Sequence, residues 1–190
     1  GVAMHLQRWP DQNVIYATHT AKFARKQSRT IRRLAIAAGL TISRDVNTQD
    51  EWELEGTEAG LVARGVGGEV TGRGARLIVI DDPIKSRKVA ESPVEREAIW
   101  SWIIDDILSR LTPDGVAILN HTRWHPDDPI GRAQADADQQ WEGENLQALS
   151  GPDEDQPLLP EHWPFEVLDR IRRRNAYSWA SLYQGKPRPR

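Results

Sequence analysis

Apolar positions along the chain change their period several times, and each change marks an element. NVIYAT (13–18) is a short β-rich apolar run closed by polar His19 and Thr20. From Ala21 to Ala38 the period becomes helical. Phe23, Ile31, Leu34, Ala35 and Ala38 fall on one face at three- and four-residue steps, and Gly39 supplies a stop. Residues 40–64 hold short β-type pieces around TIS, EWELE and GLVAR, broken by Asn47, Gly56 and Gly60. The glycine-rich GVGGEVTGRGA (65–75) then leads into RLIVIDDP (76–83), whose four central residues are all apolar. An unalternating run is the habit of a strand buried on both faces of a parallel sheet.

Ser92-Pro93 opens a helix to about Leu111, with Ile99, Trp102, Ile103, Ile107 and Leu108 at helical steps. Pro113-Asp114-Gly115 reads as a turn, and VAIL (116–119) as a second buried strand running into NHTRWHPDDP. Further on, 128–139 reads as helix, 144–149 as a short strand, GPDEDQP (151–157) as a polar loop, and 165–174 and 177–183 as short helices. GKPRPR is an extended exit, and no internal repeat is evident. Strands alternating with helices predict an α/β fold with a mostly parallel central sheet and flanking helices.

Composition narrows the chemistry more than the fold. The 190 residues contain no cysteine, which removes disulfides, thiolate nucleophiles and cysteine zinc sites. No apolar run approaches the roughly 20 residues that cross a bilayer, and residues 1–12 lack a signal-peptide core. The net charge of -3 conceals basic ends, +6 over 1–40 and +5 over 165–190, around a middle of -14. Basic ends suit contact with a polyanion, and equally suit solvated helix faces.

The most informative local pattern is LIVIDD. A buried strand that ends in carboxylates at the carboxyl edge of a sheet is where nucleotide hydrolases hold magnesium. On that reading Asp81 serves the metal and Asp82 orients or deprotonates the attacking water. The residues alone leave a simple turn or helix cap open. The preceding glycines lack the lysine and Ser/Thr of a phosphate-cradling GxxxxGK[ST] loop, so they read either as a flexible hairpin or as a loop close to a ligand. In NHTRWHPDDP, Thr122 and Arg123 suit phosphate sensing and Trp124 suits packing. His121, His125, Asp127 and Asp128 form a poor transition-metal set, because Pro126 intervenes and further ligands are missing.

Taken in order, these motifs resemble the ATPase domain of tailed-phage terminase large subunits, the motors that package DNA. GVGGEVTGRGARLIVIDDPIK (65–85) is similar to that family's glycine-rich segment and Walker B strand. NHTRWHPDDPIGR (120–132) is similar to the segment around its coupling motif, and LPEHW (159–163) with WASLYQ (179–184) and Lys186-Pro187 to its closing portion.

The resemblance implies a P-loop NTPase-like sheet of the additional-strand type, incomplete at its N-terminus, with the Walker B and coupling part over 1–150. It assigns 151–190 to a closing helical segment and linker toward a nuclease domain. It also implies ATP and Mg²⁺ as cofactors, double-stranded DNA, a small terminase subunit and a portal as partners, a homo-oligomeric ring, no membrane, and the host cytoplasm as location. By position Asp81 is the metal ligand, and Asp82 stands where most relatives carry a glutamate. Arg73 lies near the trans-acting arginine finger, with Arg64 as second candidate. His121, Thr122 and Arg123 fall at the coupling motif. The expected Walker A loop would precede Gly1, so the isolated chain is expected to hydrolyse ATP negligibly. The residues also leave open a non-catalytic DNA-binding or assembly module, and a helicase-type ATPase whose DExx signature is absent because Pro83 follows Asp82.

Overall fold

A computed structural model describes residues 1–70, 72, 74–138 and 141–188. The described chain forms two compact units. One comprises Gly1–Ser86 with Glu97–His121, and the other Arg87–Arg96 with Thr122–Arg190. The boundary expected at 150/151 lies inside the second of these.

The first unit is built on a six-stranded sheet. Its elements are α1 (Val2–Arg8), β1 (Val14–Thr18), α2 (Ala21–Ala37), β2 (Ile42–Asn47), β3 (Glu51–Leu54), β4 (Gly60–Gly65), β5 (Ala75–Asp81) and β6 (Leu111–Asn120). Strand order is β2-β3-β4-β1-β5-β6. The β4-β1-β5-β6 part is parallel, and β2-β3-β4 is antiparallel. The mostly parallel α/β sheet read from the sequence is therefore present.

Burial explains the apolar runs at the centre of β1 and β5. Val14, Tyr16, Leu61, Ala63 and Leu77 join Leu6, Ala24, Ala35, Trp52 and Leu54 in one core. Ile15, Ala17, Ile78 and Ile80 alternate to the other face and are also buried. On α2 the buried stripe is Ala24, Ser28 and Ala35, and Ser28 Oγ accepts the Trp52 indole N–H at 3.1 Å. Thr20 caps the helix by accepting from Phe23 N at 3.3 Å. Gly65, at the end of β4, touches the backbone of Thr20 and Ala21 so closely that no Cβ fits.

Strand β6 differs from its expected burial. It is an edge strand, and Val116 and Ile118 are 58% and 47% exposed on one face. An apolar run was read as two-sided burial, but an edge strand can leave one face uncovered among the described residues. The helix expected from Ser92 to Leu111 also divides. A separate short helix, α3 (Arg87–Glu91), precedes it, and the expected stretch itself runs as α4 (Pro93–Ser101), then widens to a π-helical turn at Trp102–Ile107 and tightens to a 3₁₀ turn at Leu108–Arg110.

The second unit contains α5 (Pro129–Ala135), the β7 (Leu149–Ser150) and β8 (Gln156–Pro157) hairpin, α6 (Phe165–Arg174) and α7 (Ala176–Ser178), which continues as a π-helical turn over Trp179–Tyr183. Leu149, Leu168 and Trp179 are its small core. Gln184 is buried and bonds Leu149 on both sides, accepting from its N at 3.1 Å and donating to its O at 3.0 Å. Among the described residues no helix is long and apolar enough to cross a membrane.

Candidate functional site

The chain leaves β1 toward β4 and leaves β5 toward β6, which lie in opposite directions across the sheet. The carboxyl ends of β1 and β5 thus flank a topological switch point, the place where open α/β sheets form a crevice for ligands. Register puts Thr18, Asp81 and Asn120 side by side at that edge.

Asp81 is half-buried, and both of its carboxylate oxygens accept hydrogen bonds. Asn120 Nδ2 donates to Oδ1 at 3.0 Å, and the Tyr16 hydroxyl donates a short bond to Oδ2. Tyr16 reaches Asp81 because it points to the same face two residues before the register partner of Asp81. Burial and then the bond to Asp81 push the Tyr16 hydroxyl far above its ordinary value of 10.0, so it stays a donor.

Asp82 leaves the strand in a left-handed conformation with φ +45°, which a non-glycine residue holds only when its surroundings enforce it. Two contacts do so here. Its N–H donates to Asn120 O at 2.9 Å, and its carbonyl meets His19 Nδ1 at 3.1 Å. Since a carbonyl only accepts, that contact places the proton on Nδ1 and leaves Nε2 as the ring's acceptor when the imidazole is neutral. Phe23 stacks on the His19 ring with centroids 4.8 Å apart.

His121 follows Asn120 and is buried. Asp81, Asp82, Asn120 and His121 therefore belong to one edge of the first unit. Thr122 and Arg123 belong to the second unit. There Arg123 Nε donates to both oxygens of the fully buried Asp128, at 2.9 and 3.0 Å, while its other nitrogens reach Gln134 Oε1 and Pro126 O. Asp128 also accepts from the backbone N–H groups of Trp124, His125 and Gly131. Asp127 bridges Arg132 and Arg96, and hydrogen bonds from Arg132 hold its carboxyl below the usual range. Of the residues read as a weak metal set, Asp127 and Asp128 are thus joined to arginines and backbone, and His125 Nδ1 accepts from Asp127 N at 3.0 Å. Arg73 lies outside the described residues. Arg64 bonds Glu51 at 3.0 Å and the Glu69 carbonyl at 2.8 Å.

Tyr16, Asn120 and His19 extend the site beyond the acids. Tyr16 lay within an apolar run, where its hydroxyl was the only visible signal. No cluster of three or more His, Asp or Glu able to hold a metal occurs among the described residues. No protein-family model matches the chain, and no curated protein does.

Proposed function

We propose that this chain is the Walker B and coupling portion of a terminase-type ATPase, which couples Mg-ATP hydrolysis to movement of double-stranded DNA into a procapsid. The observation that carries the reading is Asp81 and Asp82 at the switch-point end of a central strand buried on both faces, with the Asp81 carboxylate oriented by Tyr16 and Asn120. Mg²⁺, when bound, would neutralise charge on the phosphate oxygens. Asp81 would hold that cation, directly or through its water. Asp82 would accept the proton of the attacking water, and its constrained backbone would fix the direction of a side chain one methylene shorter than glutamate. The small subunit, portal and ring of the resemblance belong to the same proposal.

The test is Mg²⁺-dependent ATP turnover, compared between the 190-residue chain and the same chain extended through its upstream reading frame. The extended protein is expected to turn over ATP, and Asp82→Ala to lower the rate by about 100-fold or more. Turnover in the extended protein that survives both Asp81→Asn and Asp82→Ala would sink the reading. A second reading, a DNA-binding or assembly module without turnover, draws on Arg123, whose guanidinium is engaged by Asp128 rather than held for a phosphate. Salt-sensitive DNA binding with no turnover by the extended protein would favour it.

A further inference from the structure

Helix α2 presents a row of cations to solvent. Lys22, Lys26, Arg29 and Arg33 follow at four-, three- and four-residue steps, and all four are exposed. That spacing lines them along one side of the helix, opposite the buried Ala24, Ser28 and Ala35. At the helical rise the row is about 16 Å long. Arg25 and Arg32 flank it, so the helix holds six cations, and it holds no Asp or Glu. Among the described residues one of the six meets an acid, Arg25 with Asp50 at 3.6 Å. Arg29 reaches Gln49 Oε1 at 3.5 Å, and Arg32 reaches Asn47 Oδ1 and the Thr48 carbonyl, all neutral acceptors. A helix face that only meets water usually carries both signs at four-residue steps, where unlike charges attract. Here Lys22 and Lys26, Arg25 and Arg29, and Arg29 and Arg33 are like-charged at that step. The first turn, where the backbone dipole is itself positive, adds Lys22 and no acid. The six contribute +6 to a chain of net charge -3, so the remainder carries -9. Positive potential on α2 is therefore a local feature of an otherwise acidic chain.

We propose that the outer face of α2 docks along the phosphate backbone of a DNA duplex, with the four aligned cations on phosphates of one strand. Over the length of the row such a strand advances by about five phosphates. Charge complementarity selects a polyanion, and what the face lacks narrows the choice. Single strands are held by exposed aromatic rings on which bases stack. The aromatic residue of α2, Phe23, is instead stacked on His19 with ring centroids 4.8 Å apart. A lipid surface takes up a helix through a free apolar face. The apolar side of α2 is turned into the core through Ala24 and Ala35, and Leu34 and Ile36 are its only large apolar residues left exposed. A row of phosphate contacts reads no base edges, so the docking is independent of sequence. The partner coincides with the DNA of the proposed function, but the face follows from its own charge and needs no bound nucleotide.

The experiment follows fluorescence anisotropy of a short labelled DNA duplex mixed with the full 190-residue chain, without nucleotide, over a series of salt concentrations. Log affinity is expected to fall against log salt with a slope of about -3 to -4, as for four phosphate contacts. The variant Lys22→Gln/Lys26→Gln/Arg29→Gln/Arg33→Gln keeps helix-forming side chains at exposed positions, which circular dichroism checks. It is expected to bind about 100-fold or more weakly at low salt and to lose most of the slope. A control with the same change in net charge, Lys88→Gln/Arg170→Gln/Arg174→Gln/Lys186→Gln, alters exposed cations elsewhere and keeps the slope. The proposal is overturned if the chain fails to bind duplex at low salt, if the α2 variant binds like the parent, or if the control loses as much. Tighter binding to a single strand of the same length overturns it too, as does capture by vesicles containing phosphatidylserine without binding to duplex. ATP turnover by the extended protein is a separate observation. Its absence sinks the nucleotide reading and leaves this face standing, whereas turnover without duplex binding by the 190-residue chain overturns the face alone.

Discussion

Tyr16 sits between Ile15 and Ala17 on a strand buried along its whole length, yet its hydroxyl ends on a carboxylate. The bond links core packing to the orientation of Asp81, and it makes the fold sensitive to base. Because the folded state holds the tyrosine proton more tightly than the unfolded chain, the associated stability is complete below pH 10 and is lost as pH rises beyond it. Tyr16→Phe keeps the ring and removes the donor. It is expected to cost about 2 kcal/mol at neutral pH, as for a hydrogen bond to a charged group, and to flatten the alkaline decline. Urea denaturation at pH 7 and above pH 10 measures both, and an unchanged alkaline slope would show that Tyr16 is not the titrating group. Asp128 is the corresponding case in the second unit. Its oxygens gather Arg123 and three backbone N–H groups in a fully buried position. Asp128→Ala takes the carboxylate from a mostly buried guanidinium that keeps only Gln134 Oε1 and Pro126 O, and is expected to cost about 3 kcal/mol in thermal or chemical denaturation.

Legibility of the elements followed how far local pattern alone decides them. The sequence reading placed 13–18 and 21–38 within a residue of β1 and α2, because the change of period and the glycine stop agree there, although Leu34, read onto the apolar face, is 56% exposed and Ala24 and Ser28 are buried instead. LIVIDD was readable as a strand with acids at its end, whereas the engagement of those acids by Tyr16 and Asn120 required the register of three strands distant in sequence. The helix after Ser92 was misjudged as uniform. Its apolar spacing is helical throughout, and that pattern does not distinguish α from the π-helical turn at Trp102–Ile107. Strand β6 was misjudged as fully buried, since an apolar run does not say whether a neighbouring strand exists. Its exposed Val116 and Ile118 beside an open edge form a template for pairing with another chain. Ile118→Lys is therefore expected to suppress concentration-dependent self-association in light scattering while leaving the melting temperature nearly unchanged. Equal association in variant and parent would assign it to another surface.

The two units interleave in sequence, since the second takes residues 87–96 from between β5 and β6. That inserted segment is fastened by charge. Arg96 is buried, with Nε on Asp127 at 2.9 Å and Nη1 on the Ala90 carbonyl at 2.6 Å. Arg87 bonds the Trp124 carbonyl at 2.7 Å and lies over the Trp124 and Tyr177 rings, and Tyr177 donates to Glu91 at 2.9 Å. The first unit instead rests on an apolar core that includes Val14, Tyr16, Trp52 and Leu61. The two halves should consequently respond to different perturbations. Arg96→Ala removes one of the two cations on Asp127 and a donor to Ala90 O, at an expected cost of about 3 kcal/mol. Hydrogen exchange is expected to quicken at amides across 122–188 while β1, β4 and β5 keep their protection. Acid should act in the same direction. Because Asp127 is held below its ordinary 3.8 in the folded state, its contribution is present above that value and is lost as pH falls through the folded one. If the strands of the sheet lose protection together with the second unit, in Arg96→Ala or in acid, the molecule unfolds as one cooperative body and the division seen in its contacts has no energetic counterpart.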